Sequence, residues 1–140
     1  MDRLRHRLTL ARRTWARLAE LSERTSVSEI ERDAAIQRFE FSFEAVWKAS
    51  QLFLQDREGI EAPSPKSAIR SSLQAGILSE PDARMALRMA DDRNLTVHTY
   101  NEDLAMRIFG DLSGYASLIA RWIDALEHRL PSESGGGAGL

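Results

Sequence analysis

Apolar residues recur at steps of three and four along most of the chain, and no segment reads convincingly as a strand. Leu4, Leu8, Ala11, Trp15 and Leu18 form one stripe, which predicts a helix over roughly Asp2 to Glu20. "ERTSVSE" interrupts it. A second helix follows, opened by a capping box in which hydroxyl and carboxylate satisfy free backbone N–H groups; both Ser26 with Glu29 and Ser28 with Glu31 fit. Ile30, Ile36, Phe39, Phe43, Val46, Trp47, Phe53 and Leu54 predict a long core helix to about Glu58, stopped by Gly59. Truncating one of its large aromatics should cost roughly 3–5 kcal/mol.

"APSPKSAIRSSLQAG" predicts a short third helix, capped by Ser64, with Pro65 in its first turn and Gly76 at its end. "SEPDARMALRMADDR" predicts a fourth, capped by Ser79, with Met85, Ala86 or Leu87, Met89 and Ala90 on its apolar side. The fifth runs from near Asn101 to about Arg129, with Leu104, Ile108, Leu112, Tyr115, Leu118, Ile119, Trp122 and Leu126 as its stripe. Gly110 and Gly114 weaken its centre by roughly 1 kcal/mol each, or allow a close helix contact within the chain or with a second copy. The fold class expected is all-α, an antiparallel bundle of four to five helices. Residues 1–130 make one domain and 131–140 a flexible tail. The apolar positions are numerous enough to leave a self-association face, and a homodimer is expected.

Composition narrows the chemistry. A length of 140 residues with 43% hydrophobic and 29% charged residues fits one globular core. With no cysteine, disulfides, thiolate nucleophiles and Cys-ligated zinc are excluded. Neither a secretory leader nor a run of 18 apolar residues occurs, so a cytoplasmic protein that does not enter membranes is expected. The net charge of -2 argues against a general nucleic-acid coat. Arg3 to Arg17, however, holds six arginines and no acid. That stretch is a solvated helix face, or a surface for phosphate or an acidic partner.

His6, His98 and His128 lie far apart, and no His-ligand motif of metalloproteins or Glu-x-x-His pair occurs, so no metal is expected. Nor does any glycine loop have the form that cradles a phosphate cofactor. Glu40, Glu44 and Lys48 stack along the second helix. They form an ordinary charge ladder, or carboxylates that handle protons or anchor an arginine. His6 and His128 read as surface residues.

"DDRNLTVHTYN", Asp91 to Asn101, remains. Its β-branched residues and cap-like asparagine predict that the fourth helix ends between Asp92 and Asn94. Arg93 would then occupy the last turn, favoured there by the helix dipole, with His98 in the connection and Tyr100 at or just before the next helix. An arginine can grip two phosphate oxygens and a histidine can move a proton near neutral pH, which suits a phosphodiester. A polar connection with no chemistry is the other reading.

"RNLTVHTY" resembles the Arg-x4-His-x-Tyr motif of HepT-like proteins, a branch of the HEPN domain superfamily. "RFEFSFEAVWK" is similar to the Phe-Glu-x-x-Phe-Glu-x-x-Trp-Lys stretch of the same family, and "SPKSAIRSSLQAGIL" to its proline-led third helix. The resemblance spans roughly Ile36 to Tyr115. It implies a homodimer with two motifs facing each other across the interface, and a metal-independent endoribonuclease. A ribose 2′-hydroxyl would attack the adjacent phosphate, so RNA and not DNA would be cut. His98 would serve as general acid or base, Arg93 would hold the scissile phosphate, and Asn94 would orient one of them. Glu40 and Glu44 would support the site. The family further implies a toxin paired with a minimal nucleotidyltransferase antitoxin, which can adenylylate the motif tyrosine, here Tyr100. A non-catalytic substrate-binding subunit of a nucleotidyltransferase complex is the alternative. Tyr115 reads as core.

Overall fold

A computed structural model describes residues 2–131. Five α-helices follow one another: α1 (Asp2–Ser22), α2 (Glu29–Phe53), α3 (Pro65–Gln74), α4 (Glu80–His98) and α5 (Glu102–His128), with no strand among the described residues. The expected all-α bundle is the one observed. The tail beyond 131 lies outside the described residues.

Side-chain pairs give the helix directions. Arg121 meets Asp82, Arg88 meets Asp111 and Arg107 meets Asp92, so α4 and α5 run antiparallel. Glu44 with Arg93 and Glu40 with Thr96 set α2 antiparallel to α4. α1 lies against α2 and α5, on the side of the bundle away from α3 and α4.

The local signals explain the element boundaries. Of the two capping boxes, Ser28 with Glu31 forms: the Glu31 N–H donates to Ser28 Oγ at 3.1 Å and the Ser28 N–H to Glu31 Oε1 at 2.8 Å. Ile30 therefore falls in the first turn, 81% exposed, and the expectation that it joins the core is wrong. α2 ends in a π-helical turn, Leu54–Glu58, closed by Gly59 in the left-handed region at φ 67°. Ser64 and Ser79 cap α3 and α4, each just before a proline-bearing first turn.

Phe39 stacks on Tyr115 at 5.4 Å between centroids, and Trp122 is fully buried. Its Nε1 donates to Ser50 Oγ at 3.2 Å, and Ser50 shares a 2.7 Å hydrogen bond with Ser72. This buried chain ties α5, α2 and α3 together. Gly110 and Gly114 sit on an open face: a Cβ built on either would meet nothing within 4 Å, so the close contact that glycine allows is not made among the described residues.

Candidate functional site

α4 does not stop near Asp92–Asn94 but continues to His98. Burial overrides propensity here. Thr96 turns inward against α2, its hydroxyl 2.5 Å from Glu40 Oε2 and 2.9 Å from the Arg93 carbonyl. The Thr99 N–H then closes the last turn on the Leu95 carbonyl at 2.7 Å. Arg93 is thus inside α4 rather than in its last turn, and His98 is the last residue of the helix.

What holds Arg93 is Glu44. Arg93 Nη2 donates to Glu44 Oε1 at 3.0 Å, and its guanidinium lies over the Phe43 ring at 5.9 Å. Trp47 Nε1 donates to the same oxygen at 3.1 Å, and Lys48 Nζ reaches the other at 3.1 Å. Burial of Glu44 works against its charge. The hydrogen bonds from Trp47 and Lys48, with the fields of Lys48 and Arg93, outweigh it and hold the carboxyl below the ordinary range. Both readings of the Glu40–Glu44–Lys48 ladder are therefore partly realised: Glu44 pairs with Lys48 and also anchors an arginine.

Arg93 and Asn94 line an open hollow of about 390 Å³ with Ser64, Pro65 and Lys66 of the α3 start. Sequence reasoning passed over Lys66. A lysine in a first helical turn opposes the dipole, which was the available signal. Here Lys66 is 2.6 Å from Asp91 and adds a second cation to the hollow.

Tyr100 faces a different way. Its hydroxyl donates to Asp33 Oδ1, and the ring is 48% exposed. Partial burial and the Asp33 carboxylate push the phenol up to about 12, against the opposing charge of Arg32. Tyr100, Asp33, Gln37 and Glu40 line a second hollow of about 450 Å³. The His98 side chain is exposed and makes no hydrogen bond or ion pair with the described residues. At 100° per residue it lies about 140° around α4 from Arg93, and the two share neither a hydrogen bond nor a hollow. Exposed apolar groups occur on the last turns of α4, Leu95 and Val97, and on α5, Met106, the last 58% exposed.

Also missed was Asp92. It is 5% exposed and accepts from Tyr115 Oη at 2.6 Å and Arg107 Nη2 at 2.9 Å. Burial and this carboxylate raise the Tyr115 phenol above its usual range. The core expectation for Tyr115 is met, with Asp92 as its polar partner. Of the basic N-terminal stretch, Arg12 is taken up internally by Asp124 and Glu127 at 2.6 and 2.8 Å. Among the described residues no group of three or more His, Asp or Glu could hold a metal ion, and no helix is long and apolar enough to cross a membrane.

The family model for nucleotidyltransferase substrate binding protein like chains matches residues 6–128. The chain belongs to this family. A Thermus thermophilus protein of known crystal structure is 51% identical, over 83% of this chain and 98% of its own, with a TM-score of 0.80. A probable ribonuclease HepT from Haemophilus influenzae is 32% identical over 85 residues, and the match spans 57% of that protein's length. The fold is also that of a tri-AMPylated Shewanella oneidensis HEPN toxin in complex with an MNT antitoxin, at TM-score 0.74 and 15% identity over 92% of this chain and 99% of that one. A MntA–HepT toxin–antitoxin structure is similar at TM-score 0.77 and 16% identity, over 92% of this chain and all of the other. At such identities these two likenesses establish the fold.

Proposed function

We propose that this protein is the toxin of a toxin–antitoxin pair, a metal-independent endoribonuclease that works as a homodimer and is silenced by a cognate nucleotidyltransferase. The observation that carries the reading is Arg93: a guanidinium fixed by Glu44, lining a hollow with Lys66 and Asn94, on the helix that ends in an exposed His98. Anchoring one side of Arg93 leaves its remaining N–H groups for a phosphate, while fixing where that phosphate must lie. Lys66 and Arg93 together suit two consecutive phosphates, or one phosphate whose charge is growing.

His98 would take the proton of the ribose 2′-hydroxyl or return one to the leaving 5′-oxygen. The new bond joins the 2′-oxygen to phosphorus as the bond to the 5′-oxygen breaks, leaving a cyclic phosphate. With Arg93 and His98 about 140° apart around α4, this reading draws the pair from two copies of the chain. Exposed apolar groups on α4 and α5 (Leu95, Val97, Met106) are sites at which the second copy could dock. In this reading the antitoxin transfers a nucleotidyl group to Tyr100, placing bulk and negative charge beside His98 and repelling RNA. The family description, nucleotidyltransferase substrate binding protein like, supports the second reading, a substrate-binding subunit.

Incubating purified protein with RNA in the presence of a chelator separates the two. Cleavage to products ending in a cyclic phosphate, abolished by His98→Ala, is expected. Equal and negligible cleavage by both proteins would favour the binding subunit.

A further inference from the structure

We propose that Asp33 is the proton acceptor for nucleotidyl transfer onto Tyr100. The inference rests on the modification reading above and goes beyond it by naming the group that activates the tyrosine. The Tyr100 hydroxyl already donates to Asp33 Oδ1. The phenol, which Arg32 also hydrogen-bonds, is half exposed and borders the hollow of about 450 Å³, the side from which a phosphoryl group would approach Oη.

A protonated phenol is a poor nucleophile. With the phenol near 12, only about one molecule in 10⁵ is ionised at pH 7, so ionisation before attack is a weak route. A carboxylate already bonded to the hydroxyl removes the proton as the new bond forms. The charges around it are arranged for that change. Arg32 is 13% exposed and lies 4.0 Å from Asp33, 3.7 Å from Glu29 and 3.7 Å from Glu102. When Asp33 takes the proton and loses its charge, Arg32 therefore keeps two carboxylates. The remaining titratable group that lines this hollow is Glu40 on α2.

The co-reactant is a nucleoside triphosphate held by the nucleotidyltransferase. Tyr100 Oη bonds to the α-phosphorus as the bond to the bridging oxygen breaks and pyrophosphate leaves. The phenolic proton passes to Asp33 Oδ1 and from there to water. Nothing is oxidised or reduced.

The test measures initial labelling of Tyr100 by α-labelled ATP, with magnesium and saturating partner, for wild type, Asp33→Asn and Asp33→Glu between pH 6 and pH 10. Ionisations common to all three proteins cancel in rate ratios. Asp33→Asn should be slower by about 10²–10³-fold at pH 7 and recover about tenfold per pH unit towards the phenol's own ionisation. Asp33→Glu should retain part of the rate, and partner affinity measured by calorimetry should not change. Labelling of Asp33→Asn at the wild-type rate would overturn the proposal, as would a loss of equal size at every pH. A wild-type protein that takes no label on Tyr100 would instead remove the modification reading, and the Asp33 assignment with it.

Discussion

Arg93 and Glu44 meet across the α2–α4 interface, Nη2 to Oε1 at 3.0 Å, and this contact aims the guanidinium into the hollow it shares with Lys66. Glu44→Gln keeps an acceptor but removes the charge, and Glu44→Ala removes both. RNA cleavage should fall roughly 10-fold for the first and 100-fold for the second, because misplacing a substrate-positioning group by an ångström can cost that much. The melting temperature should barely move, since the pair is partly solvated. Acid should act through the same residue. Glu44 is held below its ordinary pKa, so its stabilising contribution is present above the carboxylate range and is lost as pH falls through the lowered value. Urea titrations at pH 7 and pH 3 should show a smaller acid loss for Glu44→Gln than for wild type.

Lys66 tests whether the hollow holds a second phosphate. Lys66→Ala should raise KM for RNA several-fold and leave kcat nearly unchanged. It should also reduce the slope of log affinity against log salt by about 0.7, the value for one fewer phosphate neutralised on a single strand. Asp91, its partner at 2.6 Å, is the control: Asp91→Asn should tighten RNA binding, because the lysine charge is no longer shared.

Much of this architecture is legible in the order of residues alone. Ser28, Ser64 and Ser79 announce three helix starts by hydroxyls that can reach back to free N–H groups, and Gly59 and Gly76 mark two stops by backbone angles other residues avoid. The end of α4 is not legible, because its extension depends on Thr96 meeting Glu40, some 56 positions earlier. Nor does the sequence distinguish Asp91 from Asp92. One residue is a 100° rotation, which sends Asp91 out to Lys66 and Asp92 inward to Tyr115. Ile30 illustrates the reverse error: an apolar residue at helical spacing, but one turn before the interface begins.

The Asp92 cluster should matter to stability rather than to substrate. Tyr115→Phe removes one of the donors to a buried carboxylate and should cost about 1–3 kcal/mol by urea denaturation. Asp92→Ala leaves the phenol and Arg107 without their acceptor and should cost at least as much. It should also loosen α4, whose C-terminal half carries Arg93 and His98. Hydrogen exchange should therefore show faster amides from Arg93 to His98 in Asp92→Ala.

Alkaline titration should report both tyrosines of the chain at once. Partial burial and Asp33 push Tyr100 to about 12, and burial and Asp92 push Tyr115 higher still. A raised phenol pKa means that the folded state favours the neutral form. The associated stability is complete below the unfolded tyrosine value, near 10, and declines as pH rises from there through the folded values. Followed by phenolate absorbance, the native protein should stay largely un-ionised at pH 10.5, whereas protein in denaturant should be more than half ionised. Asp33→Asn should bring one tyrosine back towards the ordinary value and leave the other high, because the two phenols have different carboxylate partners. If both tyrosines of the native protein ionised near 10, neither hydroxyl would be donating to its carboxylate in solution, and activation of Tyr100 by Asp33 would have no hydrogen bond to start from.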